Sequence, residues 1–328
     1  MVAVTGAEGF IGSHLVERLV ADGDRVRAMV QYNSFSARGW LDSLGADVLA
    51  EVEIVAGDVR DSSSVLGFTD GAEVVYHLAA LIAIPYSYRA PRSYVDTNVT
   101  GTLNVLEAAR AHQTPRVVHT STSEVYGSAI RVPIDESHPL QAQSPYSASK
   151  IAADKLAEAY VSSFSIPVVT LRPFNTYGPR QSTRAVIPTI VRQLAAGVTE
   201  LRLGATAPIR DFTFVTDTAA AFTAVGHAPA NQVVGQVLNA GTGTGIAIGD
   251  LAHLIARLVD REVTVVSEGE RMRPDASEVQ ELIADASALR DRTGWAPQLS
   301  LEDGLRVTCD WFAQPANLAR YPSTEYTI

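Results

Sequence analysis

Residues 2–19, VAVTGAEGFIGSHLVERL, narrow the possible folds more than any other part of the chain. A short run of β-branched and small apolar residues leads into Gly6, Gly9 and Gly12. Ile11, Leu15, Val16, Leu19 and Val20 then recur at helical spacing, and Gly23 follows as a stop. In such a strand–turn–helix unit the first glycine allows a tight turn and the second lets the backbone approach a pyrophosphate. The third lets the helix pack closely on the strand. The helix N-terminus adds unpaired amides and the positive end of its dipole, which favour an anion. We therefore expect dinucleotide binding on Gly6, Gly9, Phe10, Ile11 and Gly12 rather than a plain glycine turn.

The rest of the first half repeats the pattern. Residues 2–5, 26–30, 52–56, 74–78, 117–120 and 168–172 are brief apolar runs of the kind found in a parallel sheet covered on both faces. TGTLNVLEAARAH and YSASKIAADKLAEAYVSSF read as amphipathic helices between them. Repeated βα units predict an α/β fold, a Rossmann-like doubly wound parallel sheet. After Arg172 the texture changes. RPFNTYGPRQSTRAVIP is loop-rich, NAGTGTGIAIGD reads as a glycine–threonine loop, and 251–259, 286–293 and 301–312 read as helices. We expect a nucleotide-binding domain of residues 1–172 plus about 213–243. A smaller C-terminal α/β substrate lobe, about 173–212 plus 244–328, completes the expected organisation.

Composition excludes several function classes. The 328 residues carry a formal net charge of −10, which argues against nucleic acid as a partner, because phosphate-backbone binding needs a basic face. The seven histidines show no pair at ligand spacing, so no metal site is expected. No apolar run is long enough to span a membrane. The single cysteine, Cys309, fits a reducing compartment, and the expectation is a cytoplasmic protein with no membrane partner.

At the end of the second strand, where an acid commonly holds the adenosine ribose, the chain has Gln31, Tyr32 and Asn33, followed by Arg38. A carboxylate there favours NAD, whereas an arginine accepts the 2′-phosphate of NADP. These residues leave both cofactors open. Asp58, after the third strand, either reaches the adenine or closes a turn.

The chemistry lies in two further stretches. SPYSASK places Tyr146 and Lys150 four residues apart, on one face at a helix start. A tyrosine titrates near pH 10. A lysine ammonium one turn away, aided by a cationic nicotinamide, is expected to stabilise the phenolate so that it can take a proton from a substrate hydroxyl. HTSTSEVYG brings Thr122, Ser123 and Glu124 to the end of the fifth strand.

Together with HLAA, DTNVTGTLNVLEAAR, RPFNTYGPRQ and RDFTFVTD, these stretches resemble the extended short-chain dehydrogenase/reductases. Within them the match is to the NAD-dependent epimerase/dehydratase family that acts on nucleotide sugars, and it runs nearly end to end. The resemblance implies NAD contacts that include Gln31, Asp58, Val59, Leu78, Ala79, Ala80, Asn98 and Pro173, besides Tyr146 and Lys150. It also implies a nucleoside diphosphate sugar substrate, and a homodimer joined through the helices that begin near Ser93 and Tyr146. On the substrate side it points to Tyr86, Ser87, Asn175, Arg184 and Val186. Arg210 and Arg273 match positions whose forked donors grip the diphosphate. A packing role for Tyr86, an Asx turn for Asn175 and surface ion pairs for the arginines are the plainer alternatives.

Thr-Ser-Glu at 122–124 is similar to GDP-mannose 4,6-dehydratases. In the family, Thr122 would hold the sugar O4 beside Tyr146. A simple 4-epimerase has no need of Glu124, whereas a dehydratase uses a carboxylate to take the C5 proton once C4 is a ketone. The implied cycle is oxidation at C4, loss of water across C5 and C6, and return of hydride to C6, with no net use of cofactor. VQYNSFSARGWLD, HLAALIAIPYSY and RQSTRAVIPTI together resemble bacterial 4,6-dehydratases of nucleotide-linked N-acetylglucosamine, in UDP and GDP forms. The rivals are UDP-glucuronate decarboxylase, a 4-epimerase and, from another class, a non-catalytic dinucleotide-binding sensor. The decarboxylases usually continue VYGDP where this chain has VYGSA. A sensor tends to lose the tyrosine or lysine, and both are present.

Overall fold

The computed structural model of the chain describes residues 1–321, apart from the side chain of Asp275. Its first six strands are β1 Val2–Thr5, β2 Val26–Gln31, β3 Val52–Gly57, β4 Val74–His77, β5 Arg116–Thr120 and β6 Val168–Pro173. The later ones are β7 Asn175–Tyr177, β8 Glu200–Leu203, β9 Ile209–Phe214, β10 Val237–Ala240, β11 Gly245–Ala247, β12 Thr264–Ser267 and β13 Glu281–Leu282. Seven of them form one sheet in the order β10-β6-β5-β4-β1-β2-β3. Every pairing in that sheet is parallel. This is the expected doubly wound α/β arrangement, and all six strands read from the sequence are in it.

The apolar runs are explained by burial on both faces: all four residues of β1 and all six of β6 are buried. Helices Phe10–Ala21 and Val215–His227 pack on each other, and their side chains share one apolar cluster with the sheet. Helices Ser62–Thr69, Gly101–His112 and Pro145–Phe164 contribute to a separate cluster with the sheet. A third cluster gathers helices Val186–Ala195, Ile248–Leu258 and Leu301–Ala313 around β8 and β9. Here β9 pairs with β7, β11 and β13 rather than with the large sheet. The stretch NAGTGTGIAIGD is less of a loop than its glycines suggest. Its first two residues end β10, 245–247 form β11, and a helix starts at Ile248. Strand pairing to β9 and β6 overrides the weak local β propensity.

Tight packing explains two glycines of the opening motif. Gly6 has φ +68°, and a Cβ there would lie 2.8 Å from the Ala79 amide nitrogen. At Gly12 a Cβ would fall 2.1 Å from the Gly6 carbonyl oxygen. The glycine loop is thus pressed against the segment after β4, and Thr5 Oγ1 accepts a hydrogen bond from the Ala79 amide at 3.1 Å.

Beneath the C-terminal ends of β5 and β6 lies a buried polar cluster centred on Asp154, from helix Pro145–Phe164. Its Oδ1 is 3.0 Å from His119 Nε2. Its Oδ2 accepts from Ser121 Oγ at 2.7 Å and from Arg172 Nη2 at 2.9 Å. Arg172 also donates to the Tyr126 hydroxyl, which donates to Asn239 Oδ1. Burial alone would raise the Asp154 carboxyl, but the His119 hydrogen bond, the Arg172 guanidinium and Ser121 outweigh it and bring the group down to about 2. A carboxyl depressed in the fold contributes stability above its unfolded pKa of 3.8, and that stability is lost as pH falls through the folded value. Asp154→Asn is accordingly expected to cost about 2 kcal/mol near neutral pH. The deficit should shrink between about pH 4 and pH 2, read by urea denaturation of both proteins across that range. A deficit that stays constant would mean that the charge is not what the cluster needs.

Candidate active site

The carboxyl ends of the parallel strands meet the start of helix Pro145–Phe164. That helix begins with a capping box in which Ser144 and Ser147 satisfy each other's backbone amides, with Pro145 at the first helical position. The cap fixes the helix phase, so Tyr146, Lys150 and Asp154 all face the protein interior and all are buried.

Thr122 is the N-cap of a short turn, Ser123–Tyr126, and its Oγ1 accepts from the Glu124 amide at 3.2 Å. Tyr146 lies against Tyr94, ring edge to face at 6.2 Å. Lys150 Nζ donates to the Thr120 carbonyl at 2.5 Å. Burial lowers the Lys150 ammonium to about 8, and the Asp154 charge works against that fall. Burial also raises the Tyr146 phenol well above its usual value; hydrogen bonding with Thr122 opposes this, and the Glu124 charge adds to it. Burial is the largest influence on the phenol, and positive charge close to it would favour the phenolate.

Glu124 and Ser123 are both largely buried. Arg273 Nη1 stands 3.8 Å from Glu124 Oε1 and 3.9 Å from Glu278 Oε1. That nitrogen is shielded from solvent and has no hydrogen-bond partner among the described residues. Asn175 Oδ1, in β7, is likewise buried without a donor. An unsatisfied buried donor beside a carboxylate marks a place able to receive something polar.

The other expected contacts divide by what their side chains already do. Arg210 is buried and committed to the protein: it donates to the carbonyls of Ile209 and Val279 and to Glu278 Oε1 at 3.3 Å. Ser87 is fully buried, and its hydroxyl donates to the Ile84 carbonyl at 2.7 Å. Tyr86 and Arg184 are exposed, and Val186 is half-buried against the C-terminal core.

On the cofactor side, Gly9 is the N-cap of helix Phe10–Ala21 and no side chain caps that end. The first-turn amides, including those of Phe10 and Ile11, are free for a phosphate. Leu78, Ala79 and Ala80 line the loop pressed against Gly6, and Pro173 is buried at the end of β6. These features fit a dinucleotide. Asn98 is hydrogen-bonded within the protein. It sits in a wide π-helical turn, Val95–Thr100, and its amide spans Leu81, accepting from the Leu81 amide at 2.8 Å and donating to its carbonyl at 2.9 Å. It also donates to Ser149 Oγ, and so ties the loop after β4 to the helix of Tyr146. Asp58 is engaged by Arg60 at 2.5 Å, the turn-closing alternative. Val59 packs under Gly101, and its carbonyl accepts from Asn104.

Sequence reasoning passed over Glu278, which joins Arg210 to Arg273, and Tyr94, which backs Tyr146. Neither has a local signature, since each acts across long sequence separations. It also passed over Glu8, whose signal, a carboxylate inside the glycine loop, was in plain view.

The family model for GDP-mannose 4,6 dehydratase matches residues 3–308. A UDP-glucose 4-epimerase of Mycolicibacterium smegmatis is 33% identical, with 94% of this chain and 97% of that protein covered. The dTDP-glucose 4,6-dehydratase DesIV of Streptomyces venezuelae, solved with NAD bound, superposes with a TM-score of 0.86 at 29% identity, covering 99% of each chain. UDP-N-acetylglucosamine 4-epimerase from Methanobrevibacter ruminantium, in complex with UDP-N-acetylmuramic acid, gives 0.83 at 29% identity over 95% of this chain and 97% of that one. With that match spanning almost its whole length, the chain belongs to the GDP-mannose 4,6-dehydratase family, among the NAD-dependent nucleotide-sugar dehydratases and epimerases of the extended short-chain dehydrogenase/reductases.

Proposed function

We propose that the protein is an NAD-dependent 4,6-dehydratase of a nucleotide-activated hexose, with UDP-N-acetylglucosamine as the preferred substrate. The observation that carries the reading is Glu124: a largely buried carboxylate two residues beyond Thr122, close enough to Tyr146 for its charge to act on the phenol. A 4-epimerase needs a hydroxyl and a tyrosine at this place. A dehydratase needs in addition a base for C5.

Bound NAD supplies the hydride acceptor for C4 and the donor for C6. The chain's residues do the rest. Thr122 holds the sugar O4, and Tyr146 removes its proton, with the charged Lys150 and the cofactor's own positive charge offsetting the burial that opposes a phenolate. Glu124 takes the C5 proton, made acidic by the C4 ketone. The proton that leaves with the C6 hydroxyl comes from Glu124 itself, from Ser123 or from a water. Arg273 Nη1 is a donor free for the sugar diphosphate, and Asn175 Oδ1 an acceptor free for a substrate hydroxyl. Arg210, bound to Glu278, supports that face and adds positive charge. An N-acetylglucosamine substrate is supported by the motif resemblance and by the likeness to an epimerase of that sugar nucleotide.

We also read the protein as a cytoplasmic homodimer. Val95 and Phe164, on the helical segments that relatives are expected to pair, are about half exposed, which suits a covered apolar face. Sedimentation should give a species of two chains.

The test of the reaction is mass spectrometry of purified enzyme with UDP-N-acetylglucosamine and, separately, the GDP form, without added reductant. Loss of one water from the UDP sugar is expected. No change in either tube would remove the N-acetylglucosamine reading, and loss of carbon dioxide from UDP-glucuronate would give the site to a decarboxylase. Glu124→Gln should lower water loss by about 10²–10³-fold while C4 oxidation continues, seen as accumulating reduced-cofactor absorbance. Unchanged dehydration in that variant would exclude Glu124 as the base.

A further inference from the structure

We propose that Glu8 supplies the carboxylate that receives the adenosine ribose, in place of the acid that the end of β2 lacks. The proposal rests on the NAD reading and is independent of which sugar reaction the site performs.

Glu8 lies inside the glycine loop, between Gly6 and Gly9, yet its side chain reaches β2: Oε1 accepts a hydrogen bond from the Gln31 amide at 3.0 Å. Gln31 is the last residue of that strand, the position from which an acidic side chain meets the ribose in dinucleotide folds. The carboxylate therefore stands at the expected place although it comes from a different segment. Its other oxygen, Oε2, is shielded from solvent and has no hydrogen-bond partner among the described residues. A carboxylate oxygen is an acceptor only, and leaving it buried without a donor is costly. A ribose hydroxyl is a neutral donor of the kind it lacks.

The backbone of Glu8 is held in place. Its carbonyl accepts from the Trp40 amide at 3.0 Å. Gly39, at φ +58°, passes so close that a Cβ there would lie 2.6 Å from the same carbonyl oxygen. Trp40 in turn packs against Trp311 and Tyr321, with ring centroids 5.7 Å away in each case. Trp311, on helix Leu301–Ala313, and Tyr321 beyond it thus clamp the segment that positions Glu8.

The surroundings also disfavour a 2′-phosphate. Arg38, the cation after β2, gives its Nε to Asp42 Oδ1 at 2.7 Å and its amide to Oδ2 at 2.8 Å. A phosphate would meet the Glu8 carboxylate and an arginine already paired with Asp42. Free ribose hydroxyls meet an acceptor.

The experiment is calorimetric titration of the full chain, stripped of cofactor, with NAD, NADP, and the 2′-deoxy and 3′-deoxy forms of NAD. Wild type is expected to bind NAD more tightly than NADP, and to lose about tenfold or more in affinity for at least one deoxy analogue, as a charge-assisted hydrogen bond requires. Glu8→Gln should weaken NAD by about tenfold and narrow the NAD-to-NADP preference by a similar factor, with helix content unchanged by circular dichroism. Equal effects on both cofactors, or none, would overturn the proposal while leaving the NAD reading intact. If Glu8→Gln does not fold, the wild-type comparison decides: equal binding of NAD and both deoxy forms also overturns it. Wild type that binds neither dinucleotide would remove the NAD reading itself, and this proposal with it.

Discussion

The Asp154 carboxylate accepts hydrogen bonds from His119 and Ser121, on β5 and just beyond it, and from Arg172 on β6, and the geometry of the candidate site follows from that junction. Asp154 stands one helical turn after Lys150 and two after Tyr146, on the same face. Once the carboxylate is seated among its donors, helix Pro145–Phe164 can neither rotate nor slide without stranding a buried charge. Such stranding is among the most costly local defects a fold can carry. Lys150 is then delivered to the Thr120 carbonyl, at the end of the strand that runs into Thr122 and Glu124. An ion pair of this kind fixes position more than it adds net stability, because desolvation of both partners offsets much of their attraction.

The second constraint is steric. Gly6 and Gly12 bring β1, the loop after β4 and the first helix to distances at which a single methyl group would collide with backbone. The uncapped helix end is thereby held over the carboxyl edge of the sheet, where ligands bind in open α/β folds. Residues of the later part of the chain also reach Glu124. Glu278 gathers Arg210 and stands close to Arg273, and Arg273 faces Glu124. Two guanidiniums and two carboxylates balance there, so an anionic sugar nucleotide would meet forked donors rather than a net positive field.

Much of this was legible from residue order. The six strands, the helix that begins at SPYSASK and the glycine cradle are local patterns, set by short apolar runs, the 3.6-residue helical period and a capping box. Other features were not. Ser87 and Asp58 have the right residue types for binding, but their side chains are satisfied by a neighbouring carbonyl and a neighbouring arginine. Asn98 bridges a loop to a helix through a π-helical turn that no propensity predicts. The depth at which Tyr146 is buried, which pushes its phenol up, was not legible either, because the spacing shows the lysine and not the packing.

Sequence by itself determined the order of elements, the phosphate cradle and the presence of Thr122, Glu124, Tyr146 and Lys150 at the ends of the right segments. These depend on contacts within a few residues or on one amphipathic face. Tertiary structure alone decided which charges meet. Arg273 faces Glu124 across about 150 residues of chain, Arg210 is turned inward by Glu278, and Glu8 is carried to the end of a strand to which it does not belong. Hydrogen bonding and desolvation act through space, so the partner of a buried charge is settled by packing and not by its neighbours along the chain.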